Sequence, residues 1–348
     1  MLIGSKEISD SNKPFVVAEL SSNHNGSLER ALKCVDIASE AGVDAIKLQT
    51  YTADSITLNI EKDEFFIKEK DSLWKGQSLF SLYQKGQTPW EWHKPIFDKA
   101  KSKGLICFSS PFDFQAVDFL ETLDVPCYKI ASPECIDIPL IKKAAGTGKP
   151  LIISTGMATE EEISVAVKTA KDSGCKSLAL LKCTSAYPAK LESCNLKTIL
   201  EMKSKFGCEI GFSDHTLGIN ASIAAVGMGA TIIEKHFTIS KDDEGIDSKF
   251  SLDAKELKKL VQSINEVWKS KGKVIYGPTE EEKTTLLYRR SLYIVEDIKA
   301  GEKLTEKNLR SIRPAYGLNP KFYFQVLGKT VSKDLKKGTP LKLDFIVN

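Results

Sequence analysis

The sequence lacks the features that mark several large classes of protein. No apolar stretch approaches the roughly 20 residues that a membrane-spanning helix needs, and the amino terminus has no succession of basic, apolar and small residues like that of a signal peptide. The formal net charge of +3 is too small and dispersed to indicate a nucleic-acid partner. We therefore expect a cytoplasmic protein with no membrane or nucleic-acid partner.

The eight cysteines include no CxxC pair, and several lie inside apolar runs. This pattern predicts reduced, buried thiols rather than disulfides or a cysteine metal site. Hydrophobic residues at 42% and charged residues at 27% are ordinary for a globular protein. A chain of 348 residues suits one large domain followed by a small one.

Short apolar runs alternate with amphipathic helical patterns along most of the chain. Because strand–helix alternation implies parallel strands with right-handed crossovers, eight such units predict an α/β fold, a closed (β/α)8 TIM barrel over residues 1–275. A linker over 276–288 and a compact β-rich domain over 289–348 should follow. The eight runs are Phe15–Leu20, Ala45–Gln49, Leu105–Ser109, Cys127–Ala131, Leu151–Ser154, Leu178–Cys183, Glu209–Phe212 and Ala230–Lys235.

Polar residues stand at the carboxyl end of nearly every predicted strand, where barrel enzymes carry their chemistry. Two of the four histidines, His215 and His236, end successive strands. Adjacent strands lie about 5 Å apart, so these two imidazoles could share a divalent cation. The alternative is a pair of hydrogen-bonded structural histidines. His24, beside the first strand end, is equally compatible with a site role and a structural one.

Lys47 and Lys129 interrupt apolar strands, and a buried lysine needs a partner. One interpretation is an ion pair with Glu19 or Glu134, and a second is a grip on phosphate and carboxylate groups aided by nearby serines. A Schiff-base lysine is a third. Neither lysine lies in a GxxxxGK[ST] or GxGxxG turn, so nucleotide binding has no support.

The segment between Tyr51 and about Thr88 is too long for an ordinary barrel loop, which is typical of lids and binding loops. Its aromatic residues are more often packing than ligand platforms, although an aromatic loop would suit a sugar with an apolar methyl group. Trp74, Phe80, Tyr83, Trp90 and Trp92 are among the aromatic residues in and just after this segment.

Eight motifs in order, each at a strand end, resemble the sialic acid synthase family over essentially the whole chain. The carboxyl-terminal segment resembles the family's antifreeze-like (SAF) domain through Arg289–Leu292 and Arg313–Pro314. The motifs are AELSSNHNG at 18–26, AIKLQT at 45–50, FSSPF at 108–112, YKIASPE at 128–134, ISTGM at 153–157, KCTSAYP at 182–188, GFSDHT at 211–216 and EKHFT at 234–238.

The resemblance implies a metal-dependent transferase that joins phosphoenolpyruvate to an amino-sugar aldehyde and releases phosphate. His215 and His236 would hold the cation, Mn²⁺ or alternatively Mg²⁺ or Co²⁺, and Glu19 would activate water. Glu234 would support the metal site or pair with a lysine. The sugar contacts implied are Glu134, Tyr187, Asp247 and, from the partner of a domain-swapped homodimer, Arg313. The phosphoenolpyruvate contacts implied are Lys47, Ser110, Lys129, Ser132, Ser154, Ser185 (where the family often has asparagine) and Ser213.

Within this family, the stretches 73–93 and 245–252 resemble the pseudaminic acid synthase branch. The implied acceptor is 2,4-diacetamido-2,4,6-trideoxy-L-altrose, and the product is expected to serve flagellin glycosylation or a capsule. Two alternatives stay open. One keeps the chemistry and changes the sugar, as in an N-acetylneuraminate or legionaminate synthase. The other is a non-catalytic carbohydrate-binding or ice-binding protein.

Overall fold

The computed structural model describes residues 1–69, 72–243 and 245–347. They form two compact units, Met1–Gly272 and Lys273–Asn348. A hairpin of two short antiparallel strands, β1 Leu2–Ile3 and β2 Lys6–Glu7, begins the first unit. No helix in the described ranges is both long and apolar enough to cross a membrane.

The first unit contains a closed barrel of eight parallel strands, in which β10 pairs with β3 to close the ring. The predicted (β/α)8 fold is thereby confirmed. Several strands begin or end one or two residues away from the predicted apolar runs. The barrel strands are β3 Phe15–Glu19, β4 Ala45–Thr50, β5 Ile106–Pro111, β6 Tyr128–Ile130, β7 Leu151–Ser154, β8 Leu178–Cys183, β9 Glu209–Asp214 and β10 Ile232–His236.

Helices surround the barrel, and several begin at the polar caps that their sequences supply. Ser27 accepts from the Arg30 amide, and Thr159 and Asp253 each form a capping box with a glutamate three residues on. The helices are α1 Leu28–Ala41, α2 Ala53–Ile56, α3 Leu79–Gly86, α4 Trp90–Ser102, α5 Phe114–Thr122, α6 Ile138–Ala145, α7 Glu160–Asp172, α8 Thr198–Phe206, α9 Asn220–Gly227 and α10 Ala254–Lys271.

The barrel strands are nearly continuous hydrophobic runs because their two faces pack into two different apolar cores. The larger core fills the space between the strands and the helices. The smaller one lies inside the barrel, where Phe15, Phe108 and Ile152 pack with Ile3 of the amino-terminal hairpin. Apolar packing therefore occupies the amino-terminal half of the interior, and the polar residues are left to the opposite end.

The described part of the long segment between β4 and α4 contains regular secondary structure. It carries α2, a 3-10 turn at Asp63–Phe65 and α3, and Phe66 and Ser78 form an isolated antiparallel bridge. The tryptophans in and just after this segment divide into two groups. Trp90 stacks on Phe119 at 4.7 Å between ring centroids, and Trp92 packs edge-on against His24. Trp74 instead packs against Tyr187.

The second unit is built from short elements around its own apolar core, with Leu292, Leu309 and Leu341 among the residues at the centre. Near its carboxyl end, Leu343–Phe345 forms a 3-10 turn rather than a strand. Its elements are a 3-10 helix Lys283–Tyr288, β11 Ser291–Ile294, β12 Leu309–Ile312, a 3-10 turn Pro320–Phe322, α11 Tyr323–Val326, β13 Thr330–Val331 and β14 Ile346–Val347.

Candidate active site

Two lysines and two glutamates form a buried charged cluster at the carboxyl ends of the barrel strands. Lys47 Nζ lies 2.8 Å from Glu19 Oε2 and 3.4 Å from Glu234 Oε1. Lys129 Nζ lies 3.6 Å from the same Glu234 oxygen. All four side chains are almost completely buried, so each charge is stabilised chiefly by its neighbours.

The two carboxyl groups in this cluster differ in acidity. Burial raises the pKa of Glu19 to about 7, and the charge of Glu234 adds to this while Lys47 opposes it. Burial acts in the same direction on Glu234, but Lys129 and Lys47 outweigh it and lower the pKa of that carboxyl. When environments drive two pKa values apart, one group stays ionised while the other exchanges a proton near neutral pH. Glu19 is the group suited to proton transfer.

Lys129 has unused capacity for an anion. An ammonium group has three donors, and the hydrogen bond that the structure describes for Lys129 goes to the Ile130 carbonyl at 3.3 Å. Burial also lowers the pKa of Lys129, with Glu234 acting in the opposite direction. A bound phosphate or carboxylate would satisfy the remaining donors and favour the charged form.

Five serines surround the lysines. Ser110 accepts from Lys47 Nζ at 3.2 Å, and Ser213 donates to Glu234 at 3.2 Å. Ser154 Oγ is buried with no hydrogen-bond partner among the described residues. Ser132 and Ser185 flank Gly156, where a methyl group would collide with both hydroxyl oxygens. Hydroxyls that converge on cations in this way suit a polyanionic ligand.

His215 and His236 meet at the same mouth, with their ring centroids 5.2 Å apart. His215 Nδ1 lies 3.0 Å from the Thr184 carbonyl, and because a carbonyl only accepts, Nδ1 carries a proton and the neutral ring presents its lone pair at Nε2. Burial lowers the pKa of His215, but its contacts with Cys183 and Thr184 outweigh burial and raise the pKa. Burial lowers the pKa of His236, which favours its neutral form. Its Nδ1 is buried without a hydrogen-bond partner in the described structure.

These features fit a divalent cation held by two imidazoles. A free Nε2 and an orphaned buried Nδ1 on adjacent strand ends are the donors that such an ion needs. Among the described residues, no group of three or more histidine, cysteine, aspartate or glutamate side chains is arranged to hold a metal. The two histidines would therefore leave most coordination positions for water and substrate oxygen.

Two of the three sugar-side residues predicted in the barrel, Tyr187 and Asp247, lie close to these histidines. The Tyr187 ring is 4.5 Å from the His215 ring, and Asp247 Oδ2 is 4.0 Å from His236 Nδ1. Glu134 lies in the 3-10 turn Pro133–Ile136, and its Oε2 is buried without a partner in the described structure. The structure thus places Tyr187 and Asp247 beside the two histidines, and Lys47, Lys129, Ser110 and Ser213 in or beside the charged cluster. Arg313 is exposed on the second unit.

Several residues of the site were not assigned a role from the sequence. Gln49 donates to Glu19 Oε1 at 3.0 Å and so orients that carboxyl; its place two residues after Lys47 on β4 was the available signal. Gly156 is required by the close serines, and Cys183 Sγ lies 3.7 Å from His215 Nδ1. His24 is buried and packs against Trp92, which favours the structural alternative for this residue.

Glu134 gives the protein a measurable pH signature. Burial raises its pKa to about 7, above the value of 4.5 for an exposed glutamate. The folded state therefore binds the proton more tightly, and its stability falls as pH rises from 4.5 to 7. Glu134→Gln removes this dependence, so between pH 4.5 and 8 the variant should gain up to about 3 kcal/mol in free energy of unfolding relative to the parent.

The measurement is urea unfolding of both proteins across this pH range, with the exposed Glu91→Gln as the control for the amide. Parallel stability curves for the parent and Glu134→Gln would contradict the raised pKa.

The sequence matches known proteins over both units. Residues 34–276 match the NeuB family model and residues 289–347 match the SAF domain model. A pseudaminic acid synthase of Campylobacter jejuni is 47% identical over 330 residues, which are 95% of this chain and 96% of the relative. An N,N'-diacetyllegionaminic acid synthase of the same organism is 37% identical and covers 93% of this chain and 98% of its own length.

The fold has solved counterparts as well. The N-acetylneuraminic acid synthetase of Leptospira borgpetersenii superposes with a TM-score of 0.73 at 32% identity, over 83% of this chain and 95% of that one. The chain belongs to the NeuB family, which confirms the resemblance seen in its motifs.

Proposed function

We propose that the protein condenses phosphoenolpyruvate with 2,4-diacetamido-2,4,6-trideoxy-L-altrose to give pseudaminic acid and phosphate. The observation that carries the proposal is the buried Glu19–Lys47–Glu234–Lys129 cluster beside His215 and His236, in a NeuB-family chain 47% identical to a pseudaminic acid synthase. A non-catalytic carbohydrate-binding protein would not require two buried lysines beside a carboxyl group whose pKa lies near 7.

Phosphoenolpyruvate would be held by charge and hydroxyl groups. Lys47 and Lys129 supply the cationic donors and keep their protons in this role, whereas a Schiff base would require one of them to be neutral. The serine hydroxyls around them supply neutral donors in fixed positions. The full set of proposed donor contacts is Lys47, Ser110, Lys129, Ser132, Ser154, Ser185 and Ser213.

His215 and His236 would hold the divalent cation, and Mn²⁺ suits a site of imidazole and oxygen ligands, with Mg²⁺ and Co²⁺ as alternatives. When bound, the cation supplies Lewis acidity toward an aldehyde oxygen. The Thr184 carbonyl keeps the proton on His215 Nδ1. Tyr187 and Phe250 pack around both imidazoles and limit the access of water to them.

The bond changes follow from the substrates. Carbon 3 of phosphoenolpyruvate attacks the aldehyde carbon and forms the new C–C bond, which leaves positive character at carbon 2. Water adds to carbon 2 and loses one proton, and one proton is delivered to the alkoxide left at the former aldehyde oxygen. The C–O bond to phosphate then breaks, the hydroxyl at carbon 2 becomes the ketone, and its proton leaves with the phosphate. Glu19 is placed to accept the proton of this water, because Gln49 orients its carboxyl and its pKa is close to 7.

The acceptor sugar would contact Glu134, Tyr187 and Asp247. Beyond Tyr187 lies Trp74, whose ring centroid is 5.7 Å from the Tyr187 ring and whose indole N–H donates to the Ile246 carbonyl at 3.2 Å. This aromatic wall suits the apolar 6-methyl group of a deoxy sugar better than a hydroxymethyl group. It supports the trideoxy hexose over N-acetylmannosamine, the acceptor of the N-acetylneuraminate alternative.

Trp74→Ala should raise KM for the diacetamido sugar about fivefold, because an aromatic contact with the sugar is worth roughly 1 kcal/mol. KM for phosphoenolpyruvate should stay unchanged. Steady-state phosphate release with each substrate varied separately makes the measurement, and Trp90→Phe, on the ring that stacks on Phe119, is the control. Equal increases in both KM values would assign Trp74 a structural role.

We further propose a homodimer in which the SAF domain of one copy completes the barrel site of the other. Large apolar side chains stand exposed in the βα loops around the mouth, among them Ile136, Met157 and Leu217, and Met157 is 70% exposed. Exposed apolar residues grouped around a site indicate a surface that a protein partner covers. The second unit offers Arg313 and the aromatic residues Tyr316 and Phe324, all of them exposed.

This arrangement predicts complementation between two inactive variants. In a mixture of His236→Ala and Arg313→Ala subunits, each hybrid dimer would hold one barrel with both histidines that receives an intact Arg313 from its partner. Random exchange should restore about a quarter of the parental activity. Phosphate release before and after subunit exchange measures it. No recovery from a mixture shown to contain hybrids would place Arg313 in the site of its own chain or outside it.

A parallel assay tests the proposed reaction. The protein is incubated with phosphoenolpyruvate and Mn²⁺, and either the diacetamido-trideoxy sugar or N-acetylmannosamine is added. Phosphate with the first sugar alone supports the proposal, and phosphate with the second alone assigns the chain to the N-acetylneuraminate alternative. Release with neither, and no effect of EDTA, would favour a non-catalytic carbohydrate-binding protein. Borohydride trapping should give no covalent adduct.

We place this reaction in the cytoplasm and its product in flagellin or capsule glycosylation. All eight cysteines are free thiols, and seven of them are buried. Unpaired cysteines in this number are typical of a reducing compartment.

A further inference from the structure

A second buried charged pair, Asp214–Lys235, lies on the opposite face of the strands that carry the two histidines. Side chains alternate along a strand, and since Glu234 contacts the lysines of the barrel interior, Lys235 faces the surrounding helices. Lys235 Nζ lies 2.9 Å from Asp214 Oδ2, and both side chains are 0% exposed. Asp214 directly precedes His215, and Lys235 directly precedes His236.

The pair also fixes the backbone just beyond His215. Asp214 Oδ1 accepts from the Thr216 amide at 2.8 Å and Oδ2 accepts from the Ser222 hydroxyl at 2.6 Å. Lys235 Nζ donates to the Thr216 carbonyl. His215 therefore lies between two anchored residues. Asp214 contacts Lys235 of β10 and Ser222 of α9, and the Thr216 carbonyl accepts from Lys235. Asp214 and Lys235 are direct partners in the parallel register, so the contact links the two strand ends that carry the imidazoles.

A pair of this kind needs an explanation beyond stability. Two well-packed apolar residues in place of a buried ion pair usually leave a protein equally stable or more so, whereas charges and hydrogen bonds impose directions that apolar packing does not. Here the directed contacts hold the residues on both sides of His215 and the residue that precedes His236.

We propose that Asp214 and Lys235 are positioning residues that set the spacing and orientation of His215 and His236, and thereby the affinity of the two imidazoles for a divalent cation. They act through the histidines and touch no substrate. The inference rests on the metal site of the proposed function.

The test is Mn²⁺ binding to the chelator-treated, full-length protein by isothermal titration calorimetry. The variant is the double substitution Asp214→Asn with Lys235→Met, because either single change would leave one buried charge unpaired and endanger folding. We expect the double variant to bind Mn²⁺ about 10- to 100-fold more weakly. Its thermal unfolding midpoint without metal should stay close to that of the parent.

The control is the partly exposed pair Lys149–Glu121, whose charged atoms are 2.8 Å apart on the outer side of the barrel, away from the histidines. Lys149→Met with Glu121→Gln should leave the Mn²⁺ affinity unchanged. A double variant at 214 and 235 that binds Mn²⁺ as tightly as the parent would overturn the positioning role. A lowered unfolding midpoint with unchanged affinity would overturn it as well. A parent protein that binds no Mn²⁺ would instead contradict the metal site itself.

Discussion

His236→Ala should reduce metal-dependent phosphate release by about 1,000-fold or more. Lewis-acid stabilisation of a developing oxyanion is worth several kcal/mol, and about 4 kcal/mol corresponds to that factor in rate. His236 is one of only two imidazoles in the described structure that meet at the barrel mouth, with their centroids 5.2 Å apart. Removing one of them leaves a single protein donor, and Mn²⁺ affinity should fall in parallel.

Steady-state kinetics at several Mn²⁺ concentrations, together with calorimetric Mn²⁺ binding, makes the measurement. The control is His93→Gln, which replaces a buried histidine whose Nε2 lies 2.8 Å from Thr50 Oγ1. A glutamine amide retains a polar atom in that region, so metal affinity should remain at the parental level. Full activity of His236→Ala in metal-rich buffer would contradict the assignment of His236 as a ligand.

Lys129→Met should raise KM for phosphoenolpyruvate by about 10- to 100-fold. A hydrogen bond to a charged group contributes about 1.5–3 kcal/mol, and Lys129 offers donors that the described structure leaves largely unused. Methionine retains the apolar stem and removes only the charge and the donors. The acceptor sugar should keep its KM, because its proposed contacts lie on the Tyr187 and Asp247 side.

Phosphate release with phosphoenolpyruvate varied at saturating sugar gives the value, and the change in unfolding midpoint on adding phosphoenolpyruvate gives an independent one. Lys182→Met is the matched control, since the Lys182 ammonium already donates to the Cys183 carbonyl at 2.6 Å. A Lys129→Met protein with parental KM and parental stabilisation by phosphoenolpyruvate would remove Lys129 from the donor site.

The sequence by itself determined the barrel and the location of its polar end. Periodicity identified eight strands because strands buried on both faces must be apolar throughout, and polar residues at their carboxyl ends stand out against that background. Glu19, Lys47, Lys129, His215 and His236 were selected in this way. The motifs around them then gave the family, since eight short patterns in a fixed order are far more specific than any one of them.

The tertiary structure alone decided which of these residues touch. Whether Glu234 pairs with lysines or faces a metal depended on distances across three strands, and no spacing along the chain encodes them. The same holds for the serines around Gly156, since their mutual approach follows from the curvature of the ring. The division of the aromatic residues into packing and site-facing groups likewise depended on how the segment between β4 and α4 folds back. Burial, which drives the pKa values of Glu19 and Glu234 apart, arises only when the barrel closes around them.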